Sequence, residues 1–417
     1  MSKSISVREA RDRILERIRP LAVERVSLAD AQGRVLAEPL VAPRDQPPWD
    51  NSAMDGFAVR AEDLGAASNE TPAWLDVIEE IPAGRIPKLA VASGQAARIM
   101  TGAPLPAGAD TIVRIEDTVP AVVGGKVGIR VVAEAGRDVR RAGEDLRAGA
   151  TVLEPGKLVG SAEIGVMAAI GRSFVDVTLR PVVAILATGD ELVEPSERLE
   201  PHQIVNSNGH TLAALVREAG GIPRNLGIAR DDRADLRAKL KRALTADVVV
   251  TSAGVSVGDH DYVKEVLEEL GTTMAFWKVA MKPGHPLAFG QLGERAVFGL
   301  PGNPVSSMVS FELFVRPALL KMAGHRRIFR RVFPAVLDED VKTTQGRTHF
   351  LRGIVEERDG VARARTTGPQ GSGILRSMSL ANALLVVPAE RAGMKAGETI
   401  DATYLGVAGL ASDVRPF

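Results

Sequence analysis

Three short loops carry most of the residues able to do chemistry, and each follows an apolar run: Thr188-Gly189-Asp190-Glu191, Ser252-Ala253-Gly254-Val255-Ser256-Val257-Gly258-Asp259, and Leu300-Pro301-Gly302-Asn303-Pro304. In the first, glycine permits a tight turn, and two acids stand where they can ligate a hard cation such as Mg2+ or cap the next turn. Asp231-Asp232 occupy the same kind of strand end after Gly227-Ile228-Ala229-Arg230. The second loop has the physics of an anion cradle: small residues expose successive N–H groups ahead of a helix-like segment whose N-terminus carries partial positive charge. Asp261 closes that loop as a ligand or as a plain N-cap. The string matches neither G-x-x-x-x-G-K-[ST] nor G-x-G-x-x-G, so a phosphate-bearing ligand of another kind is implied.

Lys278, and Lys282 in the stiff turn Lys282-Pro283-Gly284-His285-Pro286, follow the segment with Phe276 and Trp277, so two ammonium groups are expected to face the same anion. His260 and His285 stand near these loops without the i, i+4 partner of a metal pair. Two further islands, Asp50-Asn51-Ser52-Ala53-Met54-Asp55-Gly56 and Arg140-Arg141-Ala142-Gly143-Glu144-Asp145, read in isolation as turns and surface ion pairs.

The elements that must position these loops follow from hydrophobic period. Val182–Ala187, Asp247–Thr251 and Ala296–Gly299 read as buried strands, with further strands at Pro223–Ile228 and Met274–Val279. Helices are expected at Asn208–Ala219, Arg233–Leu244, Asp261–Leu270 and Val305–Met322. This βαβ rhythm predicts a doubly wound, mostly parallel sheet, whose strand C-terminal ends are the place for a ligand. Upstream, Ser6 opens an amphipathic helix (Val7, Ile14, Leu15, Ile18) that stops near Pro20. Ile78–Ile81, Ala97–Thr101, Thr111–Ile115 and Val127–Val132 form a β-rich module, followed by a helix at Ser161–Ile170 and a strand at Phe174–Leu179. From about Arg330 to Phe417 short strands and Gly turns predict a small β-barrel or sandwich.

Composition narrows the class. The 417 residues are 45% hydrophobic, enough for two to four domains with cores, and 52 basic residues balance 52 acidic ones, so no bulk field points to nucleic acid or membrane. With no cysteine, disulfides, zinc-thiolate sites and thiolate nucleophiles drop out together. The first residues show no apolar signal core, and charges interrupt every apolar stretch, so a cytoplasmic protein is expected.

Taken in order, Asp50 to Val59, Ile99-Met100-Thr101-Gly102-Ala103-Pro104, Arg141 to Asp145, Thr188 to Leu192, Ser252 to Asp259, Lys282-Pro283-Gly284 and Leu300 to Ser306 resemble the molybdopterin molybdenumtransferase family, the bacterial MoeA proteins related to the gephyrin E domain. The resemblance spans nearly the whole chain. It implies a MoaB/Mog-like molybdopterin-binding α/β domain at 181–325, a β-rich insert at 51–142, an elongated dimerisation region at 1–50 and 143–180, and a C-terminal β-barrel-like domain at 330–417. It further implies insertion of molybdenum from molybdate into adenylylated molybdopterin, with Mg2+-dependent release of AMP. The substrate's dithiolene would supply the sulfur ligands that a chain without cysteine lacks.

By motif position the resemblance assigns Glu191, Asp231 and Asp261 to Mg2+, and Lys278 and Lys282 to phosphate or the oxyanion. Substrate binding falls to Thr188, Gly189, Asp190, Ser252, Gly254, Ser256, Gly258, Asp259, Pro301, Gly302, Asn303, Pro304 and Ser306, with Arg352 and Ser372 at the molybdate site. It implies a homodimer in which Asp55, Thr101 and Asp145 reach the partner's pocket, and dealings with a molybdopterin adenylyltransferase and molybdoenzyme-specific chaperones. His285, Asp259-His260 and Asn206-Ser207-Asn208 depart from common family strings, which bears on pocket charge. Two other readings stay open: a molybdopterin adenylyltransferase, which resembles only residues 180–322, and a gephyrin-like binding scaffold.

Overall fold

Runs of β-branched residues with no polar interruption become strands buried on both faces, and the computed structural model shows this for residues 182 to 188 and 248 to 252. It describes residues 4–120, 122–253 and 262–406. The chain divides into two units, Met1–Ala37 with Gly156–Gly160 and Val175–Phe417, and Glu38–Pro155 with Ser161–Phe174.

The first unit is built on a six-stranded sheet in the order Ile222–Ala229, Val182–Thr188, Val248–Ser252, Arg295–Leu300, Pro286–Leu292, Thr273–Lys278. The first four strands pair in parallel, and Pro286–Leu292 alone runs against the rest, antiparallel to both its neighbours. Alternate residues of one strand serve opposite cores: Val183 and Ile185 pack with Leu212, Val216 and Phe298, whereas Ala184 and Leu186 pack with Leu236, Leu240 and Val266. Each fully buried Ile, Leu or Phe side chain contributes about 1.5–3 kcal/mol relative to exposure. The sheet is therefore doubly wound and mostly parallel, as its sequence rhythm predicts.

Two elements differ from expectation. The strand Pro286–Leu292, absent from the sequence reading, forms a hairpin with Arg295–Leu300 and makes that edge antiparallel. The helix expected over Val305–Met322 is helical at Pro304–Ser310 and Arg316–Met322, with a π turn at Phe311–Val315 between them. Pro317 has no N–H to return to the preceding turn, and the hydrogen-bond ladder widens just ahead of it.

The N-terminal helix Val7–Arg17 is capped by the Ser6 hydroxyl, which accepts the Glu9 amide. It buries Ala10 and Ile14 in the first of the two cores. Downstream, Val332–Leu337, Thr348–Arg358, Val361–Thr366, Ala383–Val387 and Thr399–Tyr404 close into a five-stranded barrel, because the strand at Thr348 pairs with both the Val361 and the Ala383 strand. Leu337, Leu351, Ala364, Leu385 and Ala402 fill it. The short strand Met281–Lys282 adds to this barrel beside Thr348 and His349, so the turn after the α/β sheet is held by the barrel.

The second unit holds a five-stranded sheet in the order Thr111–Arg114, Gly56–Val59, Gln95–Ile99, Ala73–Ile81, Lys126–Ile129, with small cores on each face. Gly56 is required there, since a side-chain carbon would run into the Val113 carbonyl of the neighbouring strand. The helix Ser161–Ala169 also belongs to this unit.

Candidate functional site

Register places the predicted loops side by side. Ser252 pairs with Ala187 on one side and Leu300 on the other, so the segments beginning at Thr188, Ala253 and Pro301 leave one edge of the sheet together. At Gly189 the backbone takes φ +143°, and an added side-chain carbon would meet the Glu191 carboxylate, so glycine is what lets Glu191 fold over the turn. Ala253 is held at φ +71°, an uncommon conformation for a residue with a side chain and the kind of local strain found at ligand sites.

One residue absent from the sequence-derived set ties this edge together. Asn208, in the first turn of helix Ser207–Glu218, donates from Nδ2 to Ser252 Oγ and to the Gly302 carbonyl, both at 2.7 Å. The helix is started by buried Asn206, whose side chain accepts the Gly209 amide at 3.0 Å and donates to Glu194 at 3.1 Å. The sequence signal available for Asn208 was its place two residues past an Asn cap. A cavity of about 630 Å3 results, with Thr188, Glu191, Asn208, Ser252, Gly302 and Asn303 among its walls.

Other predicted acids stand elsewhere. Asp190 Oδ1 accepts the Asp231 amide at 3.1 Å, the turn-capping alternative, and neither residue lines the cavity. Among the described residues no group of three or more His, Asp or Glu side chains is arranged to hold a metal. Asp261, with Gly254, Ser256, Gly258, Asp259 and His260, lies outside the described residues.

A second cavity, about 840 Å3, adjoins the first through the shared walls Pro286 and Asn303. Lys282, His285, Ser306, Arg352 and Ser372 all line it. The Val305 amide donates to the Ser372 carbonyl at 3.1 Å and fastens the barrel-side segment to the strand-end helix. Arg352 is 1% exposed; its guanidinium donates to Ser377 Oγ at 3.0 Å and to the Gly371 carbonyl at 3.1 Å. Among the described residues no carboxylate pairs with it, and burial lowers its pKa to about 10, so it stays cationic at neutral pH. A buried cation without a counterion is costly unless something anionic joins it.

Lys342, Arg347 and His349 line the same cavity and were missed, because barrel closure and not sequence spacing brings them there. Burial, together with the nearby Lys282 and Arg347, holds the His349 imidazole below its ordinary pKa despite the opposing bond to Thr344. Of the two lysines expected to face one anion, Lys282 lines this cavity and Lys278 is not among its lining residues. Lys278 ends the edge strand opposite Pro286, with its carbonyl accepting the Ile5 amide.

In the second unit Asp55 Oδ1 accepts both the amide and the hydroxyl of Thr101, each at 2.7 Å, and those two bonds, the amide first, hold its carboxyl below the usual range. Asp145 is exposed, its amide bonded to the Gln46 carbonyl at 3.0 Å. Asp50 binds Arg141 and the Ala142 amide, so an ion pair and a backbone bond join the two islands that the sequence presents separately.

Three family models match in series: "MoeA N-terminal region (domain I and II)" over residues 5–171, "Probable molybdopterin binding domain" over 184–321, and "MoeA C-terminal region (domain IV)" over 334–405. A Mycobacterium tuberculosis protein named molybdopterin molybdenumtransferase 2 is 41% identical over 398 residues, covering 94% of this chain and 97% of that one. The chain belongs to the MoeA family of molybdopterin molybdenumtransferases. A Bacillus subtilis molybdopterin molybdenumtransferase is 36% identical over 399 residues, covering 95% of this chain and 93% of its own. The crystal structure of the molybdopterin biosynthesis moeA protein from Pyrococcus horikoshii OT3 matches with a TM-score of 0.84 at 33% identity, over 97% of this chain and 100% of that one. Matching at full MoeA length disfavours an adenylyltransferase, which would answer to the central region alone. No helix among the described residues is long and apolar enough to cross a membrane.

Proposed function

We propose that this chain inserts molybdenum from molybdate into adenylylated molybdopterin and releases AMP, with the two adjoining cavities dividing the work. The strand-end cavity takes the phosphate-bearing pterin nucleotide on Thr188, Ser252, Asn208, Gly302 and Asn303. The barrel-side cavity takes the oxyanion on Lys282, Arg352, Ser306 and Ser372. The observation that carries this reading is Arg352, a buried cation with no carboxylate partner among the described residues, in a cavity walled by further cations.

Of the acids that motif position assigns to Mg2+, Glu191 lines the strand-end cavity and offers a hard oxygen donor, while Asp231 does not line it and Asp261 is assigned by motif position alone. When bound, the ion would neutralise phosphate charge as the link to AMP breaks. The protein's own part is to hold the phosphate on neutral donors, to keep Glu191 over the Gly189 turn, and to keep molybdate beside the pterin's sulfurs while Mo–S bonds form.

The remaining proposals come from family position. We take the protein as a homodimer in the cytoplasm, divided as 1–50 with 143–180, 51–142, 181–325 and 330–417, with Asp55, Thr101 and Asp145 given to the pocket of the second subunit. Mixing Asp55→Ala with Glu191→Gln subunits should then restore activity, since one pocket of a heterodimer carries both defects and the other none. Heterodimers that form and stay inactive would sink the shared pocket. The reaction itself is tested by incubating purified protein with adenylylated molybdopterin, molybdate and Mg2+. AMP release with reconstitution of a molybdoenzyme is expected; adenylylation of free molybdopterin by ATP would overturn it.

A further inference from the structure

A third cavity, about 410 Å3, shares no wall with the two above; among the described residues it is lined by Arg316, Arg330, Arg331, Phe333, Tyr404 and Gly406. Its aromatic wall comes from neighbouring antiparallel barrel strands. Phe333 pairs with Ala402, which places it diagonally across from Tyr404, and the rings stack with centroids 4.5 Å apart at 28°.

The charge around it is unbalanced. Arg330 forks onto Glu312, with Nε to Oε1 at 2.6 Å and Nη2 to Oε2 at 3.2 Å, and donates from Nη1 to the Gly406 carbonyl at 3.2 Å. Arg316 shares Glu312 at 3.7 Å, bonds the Ile328 carbonyl at 3.4 Å, and feels Glu218 as a weaker field. Arg331 is exposed, and among the described residues it has no ion-pair partner and the cavity has no lining carboxylate. Three guanidiniums thus face a stacked aromatic wall in a space within the roughly 300–1,000 Å3 range of small-molecule sites.

We infer that this cavity binds a small molecule joining a flat aromatic ring to a phosphate or carboxylate. The ring packs on the Phe333 and Tyr404 wall, and the anion lies on Arg331 and the free edge of Arg316. Guanidiniums suit this task because they pair with oxyanions through parallel N–H groups and also stack on rings. An inorganic anion leaves the aromatic wall wet, and an uncharged ring leaves Arg331 unmatched, so both parts are needed for tight binding.

The chain has only two tyrosines, Tyr262 and Tyr404, which makes a direct test practical. The full-length protein, labelled with 3-fluorotyrosine, shows two 19F resonances, and Tyr404→Phe assigns them. AMP serves as the ring-plus-anion probe, with adenosine and inorganic phosphate as its separate halves. The Tyr404 resonance should move saturably with AMP, with at least about ten-fold weaker binding for either half alone and for Arg331→Glu, and unchanged affinity in Lys282→Ala. Arg331→Gln, which keeps the side chain's bulk, should also weaken AMP. A Tyr404 resonance that stays still at millimolar AMP, a shift confined to Tyr262, phosphate binding as tight as AMP, or AMP affinity at the wild-type level in both Arg331 variants would each overturn the site.

Discussion

The strand-end cavity and the barrel-side cavity adjoin, yet they hold their polar groups in opposite ways. In the first, neutral groups satisfy one another: Asn208 bridges Ser252 and Gly302, and among the described lining residues Glu191 alone brings charge. In the second, Lys282, Lys342, Arg347 and Arg352 outnumber two acids that are already engaged, since Glu339 accepts the amide and hydroxyl of Thr366 and Asp340 pairs with Lys395. The first is organised before any ligand arrives. The second carries charge that only an anion can balance, so its contribution should appear as affinity more than as fold stability.

That contrast can be broken at single side chains. The largest effect is expected at Glu191→Gln, which should lower Mg2+-dependent AMP release at least about a hundred-fold while the melting temperature stays near that of the parent, because an acid on a glycine turn supplies ligand charge and not packing. Wild-type turnover at saturating substrate would remove Glu191 from the site. Next, Lys282→Ala should weaken molybdate binding about ten-fold, and Lys278→Arg should leave it unchanged, since only Lys282 lines the basic cavity. Equal losses in calorimetric titrations would bring Lys278 back into contact with the ligand. The smallest effect sharpens the other side of the comparison: Asn208→Ala leaves Ser252 and the Gly302 carbonyl without their shared donor. It should cost about 1–3 kcal/mol in urea unfolding, with molybdate affinity intact. A stability loss confined to the ligand-bound protein would mean that the strand-end edge is not preorganised.

The same contrast explains what could be read before the fold was known. Thr188, Glu191, Ser252 and Gly302 were legible because each lies within four residues of the end of an apolar run that becomes a strand. Adjacent parallel strands then bring such loops together by register alone. Asp190 was ambiguous for a local reason: an acid after a strand caps a turn as readily as it binds a cation, and here it takes the Asp231 amide. Arg352 and Ser372 came from family resemblance, because nothing in an alternating strand such as Thr348–Arg358 marks which inward residue will meet a cavity. Lys342, Arg347 and His349 had no signal at all, since closure of the barrel and its pairing with Met281–Lys282 bring them to the turn. The strand Pro286–Leu292 was hidden for a related reason: it begins inside a Pro/Gly turn, and its partner is fixed by a hairpin and not by a crossover helix.

The division of labour between the cavities is tested most directly by measuring two affinities in one variant, Arg352→Met. Replacing a buried charge with an apolar chain of similar length is often tolerated by the fold, and binding of adenylylated molybdopterin reports that the strand-end cavity survives. Equilibrium dialysis should then show molybdate binding weakened at least about a hundred-fold, as expected for removal of a buried charged partner, with the nucleotide held within a factor of about two. Molybdate binding at wild-type strength, or equal loss of both ligands in a folded protein, would contradict the account.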